Sequence, residues 1–216
     1  MAPVLYGSVG YICTNRVLLA AAELGEELEF VHVDTMKGEH KTAEYLKIHP
    51  WGRIPTLKNG DFTMYESRAI SRYLACSVFP EKGKSLVPSP DVDPEAFALF
   101  EQAASVEMAY INPFLEGLVT EKYFVPAFGG KLNPVKIAEQ RKNLDDNLKV
   151  LDGILATRQY VAGNEFTLAD VFYVPFIFML GSKEVGEFDL ITSRPNISAW
   201  WERITSRPAF KKVYSS

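Results

Sequence analysis

The chain has 216 residues, 47% of them hydrophobic and 23% charged, a globular profile that rules out disorder over most of its length. Lys and Arg number 23 and Asp and Glu 27, so the net charge of −4 argues against a general nucleic-acid binder. Two cysteines, Cys13 and Cys76, and three histidines, His32, His40 and His49, argue against a disulfide framework and supply no metal motif.

The first elements alternate. Val4 to Gly7 predicts a short strand. Asn15 to Leu24 carries apolar residues at helical spacing, and Leu28 to Asp34 alternates as a strand does. This is a β-α-β unit with a connection long enough for a parallel crossover. Ile54 to Lys58 and Phe62 to Tyr65 are two further strands. Asn59-Gly60 between them is a strong hairpin signal. A helix follows with Ala69, Ile70, Tyr73, Leu74 and Ala75 on its apolar face. Cys76 falls in the same pattern and is expected in the core. Together these predict a four-stranded mixed sheet over residues 1–82.

Residues 83–92 are polar and rich in Pro and Gly, as a linker is. Residues 93–216 read as helical throughout. Pro94 to Lys122 is a long helix that Pro113 should kink or break. Pro134 to Ala156 is a second. Thr167 caps a third, with Asp170 completing a capping-box variant. Asn196 to Ser206 and Ala209 to Val213 close the chain. The longest apolar run, Val171 to Leu180, is short against the ~20 residues a bilayer span needs. The Met1 to Tyr6 stretch lacks a signal-peptide pattern, and Tyr214-Ser215-Ser216 matches no lipid anchor. A cytoplasmic protein without membrane association is expected.

Four short motifs occur in a telling order. They are Gly38-Glu39-His40-Lys41, the run His49-Pro50-Trp51-Gly52-Arg53-Ile54-Pro55, the helix start Glu66-Ser67-Arg68-Ala69-Ile70, and Ala162-Gly163-Asn164-Glu165-Phe166-Thr167-Leu168-Ala169-Asp170. With the domain plan they resemble the glutathione transferase family, its phi class in particular. The first is similar to that class's Gly-Glu-His-Lys turn and the second to its Asn-Pro-Phe-Gly-Gln-Val-Pro run. The resemblance covers nearly the whole chain. It implies an α/β thioredoxin-like N-terminal domain that binds glutathione and an all-α domain that contributes an apolar substrate pocket.

The implied chemistry is activation of the glutathione thiol. A cysteine thiol has a pKa of ~8.5, so little of it is thiolate at pH 7. The loop Gly7 to Thr14 leads into the first helix, where a thiolate should sit. Aligned without gaps, the family's catalytic serine falls on Tyr11. The candidates for the thiolate partner are therefore Tyr11, Ser8, Cys13, Thr14 and a backbone N–H. The resemblance implies that Glu66 and Ser67 meet the γ-glutamyl end. Ile54, held by a cis Pro55, pairs with the cysteinyl part, and His40, Lys41 and Arg53 meet the glycyl carboxylate. Arg53 stands where the class usually has Gln, which makes that contact charge-assisted. Phe114 and Leu118, with Tyr11, are candidates for the apolar pocket. Asp170 is expected to serve folding rather than chemistry.

The expected activity is conjugation of glutathione to small apolar electrophiles by a homodimer, with glutathione as co-substrate and no cofactor or metal. Trp51 is a candidate anchor into a partner subunit. Two other readings stay open. One is a glutathione-dependent peroxidase or thiol reductase using Cys13, a thiol near a helix N-terminus. The other is a non-catalytic carrier, a ligandin, of apolar ligands.

Overall fold

The computed structural model describes residues 2–214. Met1, Ser215 and Ser216, on which the readings of the chain ends partly rest, lie outside the described residues. In chain order the main elements are β1 (Val4–Gly7), α1 (Ile12–Glu23), β2 (Glu29–His32), α2 (Ala43–Leu46), β3 (Thr56–Asn59), β4 (Phe62–Tyr65), α3 (Ser67–Tyr73), α4 (Pro94–Val106), α5 (Asn112–Val119), α6 (Pro134–Leu155), α7 (Leu168–Leu180), α8 (Pro195–Thr205) and α9 (Pro208–Tyr214). The chain separates into two compact units. The first comprises residues 1–87 together with 208–216, and the second residues 88–207.

The first unit is built on a mixed sheet of order β2-β1-β3-β4. β1 and β2 are parallel, joined by α1, and β1 and β3 are antiparallel. The hairpin forms where Asn59-Gly60 predicts it. Asn59 pairs with Phe62, and Gly60 takes φ +61 in a two-residue loop. Leu5, Leu57, Val17 and Ile70 are wholly buried in this unit's core.

Two expectations change here. Cys76 is exposed. It sits in a π-helical turn, Leu74–Val78, and the wider turn carries the apolar pattern past it after Ala75. The last helix, read with the helical half, packs instead on α1 in the first unit, with Ala209 and Phe210 buried.

The second unit is helical. The regular helix is interrupted at Pro113, as expected. A π-helical turn, Glu107–Ile111, separates α4 from α5 just before it. A regular turn there would crowd the proline ring against the carbonyl four residues back, and the wide turn relieves this. Leu115, Leu148, Phe172, Tyr173, Ile177 and Trp200 are buried in this unit. Tyr173 and Trp200 meet edge-on, ring centroids 5.6 Å apart.

Asp170 explains the entry to α7. Its Oδ2 accepts from the Thr167 N–H at 2.9 Å and its Oδ1 from the Val161 N–H at 3.0 Å and the Trp200 indole N–H at 2.8 Å. The capping box is present. Burial pushes the carboxyl above its usual range, and the donors around it oppose that push. Asp170→Ala strands buried donors in three segments at once. It is expected to lower the unfolding free energy by ~3 kcal/mol, read from urea or guanidinium denaturation. A loss within experimental error would show that the carboxylate is not holding the α7 entry.

Candidate active site

The loop between β1 and α1 is shaped by close approach. A Cβ on Gly7 would lie 2.7 Å from Thr14 Oγ1, so only glycine fits. The Ser8 N–H reaches Thr14 Oγ1 at 3.4 Å, and the Tyr11 N–H donates to the Ser8 carbonyl at 3.2 Å. Gly10 takes φ +87, and its N–H donates to Asn15 Oδ1 at 3.0 Å. Thr14 is wholly buried, and Ser8 nearly so with its Oγ 3.5 Å from His32 Nδ1. Both hydroxyls therefore face the loop and sheet rather than open solvent. Tyr11, half-buried, is the N-cap residue of α1, with extended backbone. Its side chain makes no cap. Its hydroxyl oxygen accepts from the Thr35 hydroxyl instead. The first turn of α1, Ile12-Cys13-Thr14, carries backbone N–H groups with no intrahelical acceptor, a favourable place for an anion.

A second group of residues assembles across α1 and α3. Glu66 ends β4 with φ +75 and ψ +105. Such a backbone costs a non-glycine residue roughly 1–3 kcal/mol and persists where the surroundings enforce it. It leaves the Glu66 side chain exposed and starts α3 at the buried Ser67. Ser67 Oγ accepts from Arg16 Nη1 at 2.7 Å. The same nitrogen lies 3.6 Å from the Sγ of the half-buried Cys13. Arg16 itself is wholly buried.

The third group is the loop before β3. The 3-10 turn Glu39–Lys41 carries His40 and Lys41, and Lys41 Nζ donates to the Trp51 carbonyl at 3.3 Å. Gly52 takes φ +55, and a Cβ there would lie 2.8 Å from the His40 carbonyl oxygen. The two turns thus lock together through glycine. Tyr45 donates to the Arg53 carbonyl at 2.9 Å and lies 3.1 Å from Thr56 Oγ1. Arg53 is exposed, and the Ile54–Pro55 peptide is cis, as expected.

Beneath this loop lies His49, buried and stacked on Tyr65 with ring centroids 4.5 Å apart. Its Nδ1 is buried with no hydrogen-bond partner among the described residues. Burial pushes the imidazole below its ordinary value, Arg53 and Lys41 add to that, and Glu66 opposes it. His40 is also lowered, by burial and then by Lys41.

Each candidate residue of the first unit has a place in one of these three groups. Phe114 and Leu118 belong to the second unit, on α5, where Phe114 is half-buried and Leu118 wholly buried. A side chain with no exposed surface offers nothing to a ligand, so Phe114 is the better pocket candidate. Sequence reasoning passed over Arg16, Asn15, Thr35 and His49. Only Arg16 left a signal: it is the sole charged residue between Val4 and Ala22.

The N-terminal domain of the glutathione S-transferase family matches residues 1–76, and its C-terminal domain matches residues 118–208. The chain belongs to the glutathione S-transferase family. It is 44% identical to Glutathione S-transferase PM239X14 of Arabidopsis thaliana over 91% of this chain and 88% of that one. It is 36% identical to Arabidopsis Glutathione S-transferase F13, over 99% of this chain and 95% of the relative. The crystal structure of glutathione transferase F7 from Populus trichocarpa superposes with a TM-score of 0.89 at 33% identity, covering 99% of this chain and 98% of that one. A maize glutathione S-transferase I solved with an atrazine glutathione conjugate superposes at 0.88, with 27% identity over 100% and 97% of the two chains. The family is thus the phi class, with its thioredoxin-like first domain, and the chain is an enzyme that conjugates glutathione to electrophiles.

His49 gives the transferase a pH signature. The unfolded imidazole protonates near 6.5, and the folded one resists until lower pH. The stability it contributes is therefore present above that value and lost as pH falls through the folded-state pKa. The melting temperature should drop between about pH 7 and pH 5 in the parent and drop less in His49→Phe, which keeps the stack on Tyr65. Equal slopes in thermal scans across that range would remove His49 from the pH response.

Proposed function

We propose that glutathione lies across the three residue groups of the first unit, with its sulfur at Tyr11 and the N-terminus of α1. The observation that carries this is the Arg16–Ser67 hydrogen bond beside the strained Glu66. A hydroxyl that accepts from a guanidinium keeps its own proton to donate. Ser67 can thus give its O–H to the γ-glutamyl carboxylate, while Glu66 meets the ammonium. The backbone of Ile54, ahead of Pro55, pairs with the cysteinyl part. His40, Lys41 and Arg53 receive the glycyl carboxylate.

The same hydroxyl logic applies at the thiol end. Thr35 donates to the Tyr11 oxygen, which leaves the Tyr11 proton to hydrogen-bond the sulfur. Lowering a thiol pKa by ~2 units requires ~2.7 kcal/mol of preference for the anion, within reach of one such bond and a helix N-terminus together. The thiol proton leaves to solvent. The sulfur lone pair then forms the bond to the electrophilic carbon, and the leaving group departs with its electrons. No resident cofactor enters this scheme, and glutathione is the co-substrate. We place the enzyme in the cytoplasm, where the glutathione pool is kept reduced.

The enzyme works as a homodimer in this proposal. Trp51 is 71% exposed on the first unit. The second unit has an apolar cavity of about 300 Å³ lined by Val106, Tyr110, Ile111, Val150 and Leu151 among others. Trp51 of one subunit fits the chemistry of that cavity on another. Trp51→Ala should sediment as a monomer at micromolar concentration; an intact dimer would exclude Trp51 as the anchor.

A second reading has its own support. Cys13 Sγ lies 3.6 Å from Arg16 Nη1 at the start of α1, where its thiolate form would face a cation. Such a thiolate would attack glutathione disulfide, forming a mixed disulfide and releasing a glutathione thiolate. The two readings separate in one set of measurements. Purified enzyme with glutathione and a chlorodinitrobenzene-type electrophile should form conjugate, and Tyr11→Phe should raise the pKa of the bound thiol towards ~8.5 in an ultraviolet thiolate titration. An unchanged pKa removes Tyr11 from the mechanism. A glutathionyl mass increment on Cys13 after disulfide treatment would instead favour the redox reading.

A further inference from the structure

The turn that follows β2 is laced to the Tyr11 loop twice. At its base the Val33 N–H donates to the Gly7 carbonyl at 2.8 Å. Two residues on, the Thr35 hydroxyl donates to the Tyr11 hydroxyl oxygen. Thr35 is held in that place by the residue before it. Asp34 Oδ1 accepts from the Met36 N–H and the Lys37 N–H, both at 3.0 Å, so the carboxylate spans Thr35 and fixes the backbone on either side of it. Its Oδ2 pairs with Lys37 Nζ at 3.1 Å. Glu39 closes the turn from the other end. Its Oε2 accepts from the Asp34 N–H at 2.7 Å, and its own N–H donates to the Asp34 carbonyl at 3.1 Å. The Gly38 N–H reaches the Thr35 carbonyl at 3.2 Å. The Lys37 backbone N–H, and then its ammonium, hold the Asp34 carboxyl below its ordinary range, so this clasp is ionised throughout neutral pH.

We propose that Asp34 and Thr35 form a positioning pair for glutathione activation, the carboxylate fixing Thr35 and the Thr35 hydroxyl aiming the Tyr11 O–H at the sulfur. Neither residue touches a reacting atom. A phenol can turn its proton to either side of its C–O bond. With Thr35 donating from one side, the proton is left to the other. Without that donor, Tyr11 can spend its proton on the turn or on water, and the sulfur loses part of its partner. Packing alone would be met by valine, which has the shape of the half-buried Thr35 and lacks only the hydroxyl.

This inference rests on the glutathione reading above, and the test separates their failures. The readouts are the pKa of the bound thiol, by ultraviolet titration, and the pH profile of kcat/KM. A parent enzyme that binds no glutathione, or a Tyr11→Phe variant whose bound thiol keeps the parent's pKa, overturns the reading itself. Where Tyr11→Phe raises that pKa, Thr35→Val should raise it too, move the profile to higher pH and lower kcat/KM roughly three- to ten-fold near neutral pH. Thr35→Ser should restore both readouts. Asp34→Ala should shift them in the same direction as Thr35→Val and add little when the two are combined. In the Tyr11→Phe background, Thr35→Val should change neither. The proposal is overturned if Thr35→Val or Asp34→Ala keeps the parent's thiol pKa and pH profile, if Thr35→Ser fails to restore them, or if the effect of Thr35→Val is undiminished in the Tyr11→Phe background.

Discussion

A buried guanidinium is the constraint on which the glutathione half is organised. Arg16 is wholly buried on α1, and a charge in that position must be met by neighbours or the fold loses several kcal/mol. The neighbours are drawn from separate parts of the chain. Ser67 comes from the start of α3 and Cys13 from the first turn of α1. Meeting the charge therefore fixes where α3 begins. The strained Glu66 follows from the same demand, because Ser67 must turn inward directly after β4 ends.

The serine slot shows how one substitution is absorbed. A phenol oxygen lies further from its Cα than a serine oxygen does, so Tyr11 cannot simply stand in for serine. In this chain the longer side chain reaches across to the loop after β2 and is held by Thr35. Ser8 and Thr14, the neighbouring hydroxyls, are spent on holding the loop. Cys13 is left partly accessible beside a cation, which keeps redox chemistry in view at the same place.

What the sequence made legible was local. The β-α-β unit, the Asn59-Gly60 hairpin and the Thr167–Asp170 box all depend on residues a few positions apart, and each appears where the pattern put it. The family motifs carried Glu66, Ser67 and the cis Ile54–Pro55 peptide. What stayed hidden was long-range or a matter of helical phase. Nothing local links α9 to α1, or His49 to Tyr65. Cys76 was misplaced because a π turn adds a residue that a 3.6-residue period does not count.

The first compact unit is not a continuous stretch of chain. Its last helix is encoded after the whole helical unit. On the ribosome, where chains fold from the N-terminus onward, residues 1–87 emerge first yet lack the helix that packs on α1. That half is completed only once the last helix has been made. A chain cut short before that helix would keep every residue proposed to touch glutathione and still leave one face of α1 uncovered. The order of the elements thus leaves the first unit unfinished until its last helix is made.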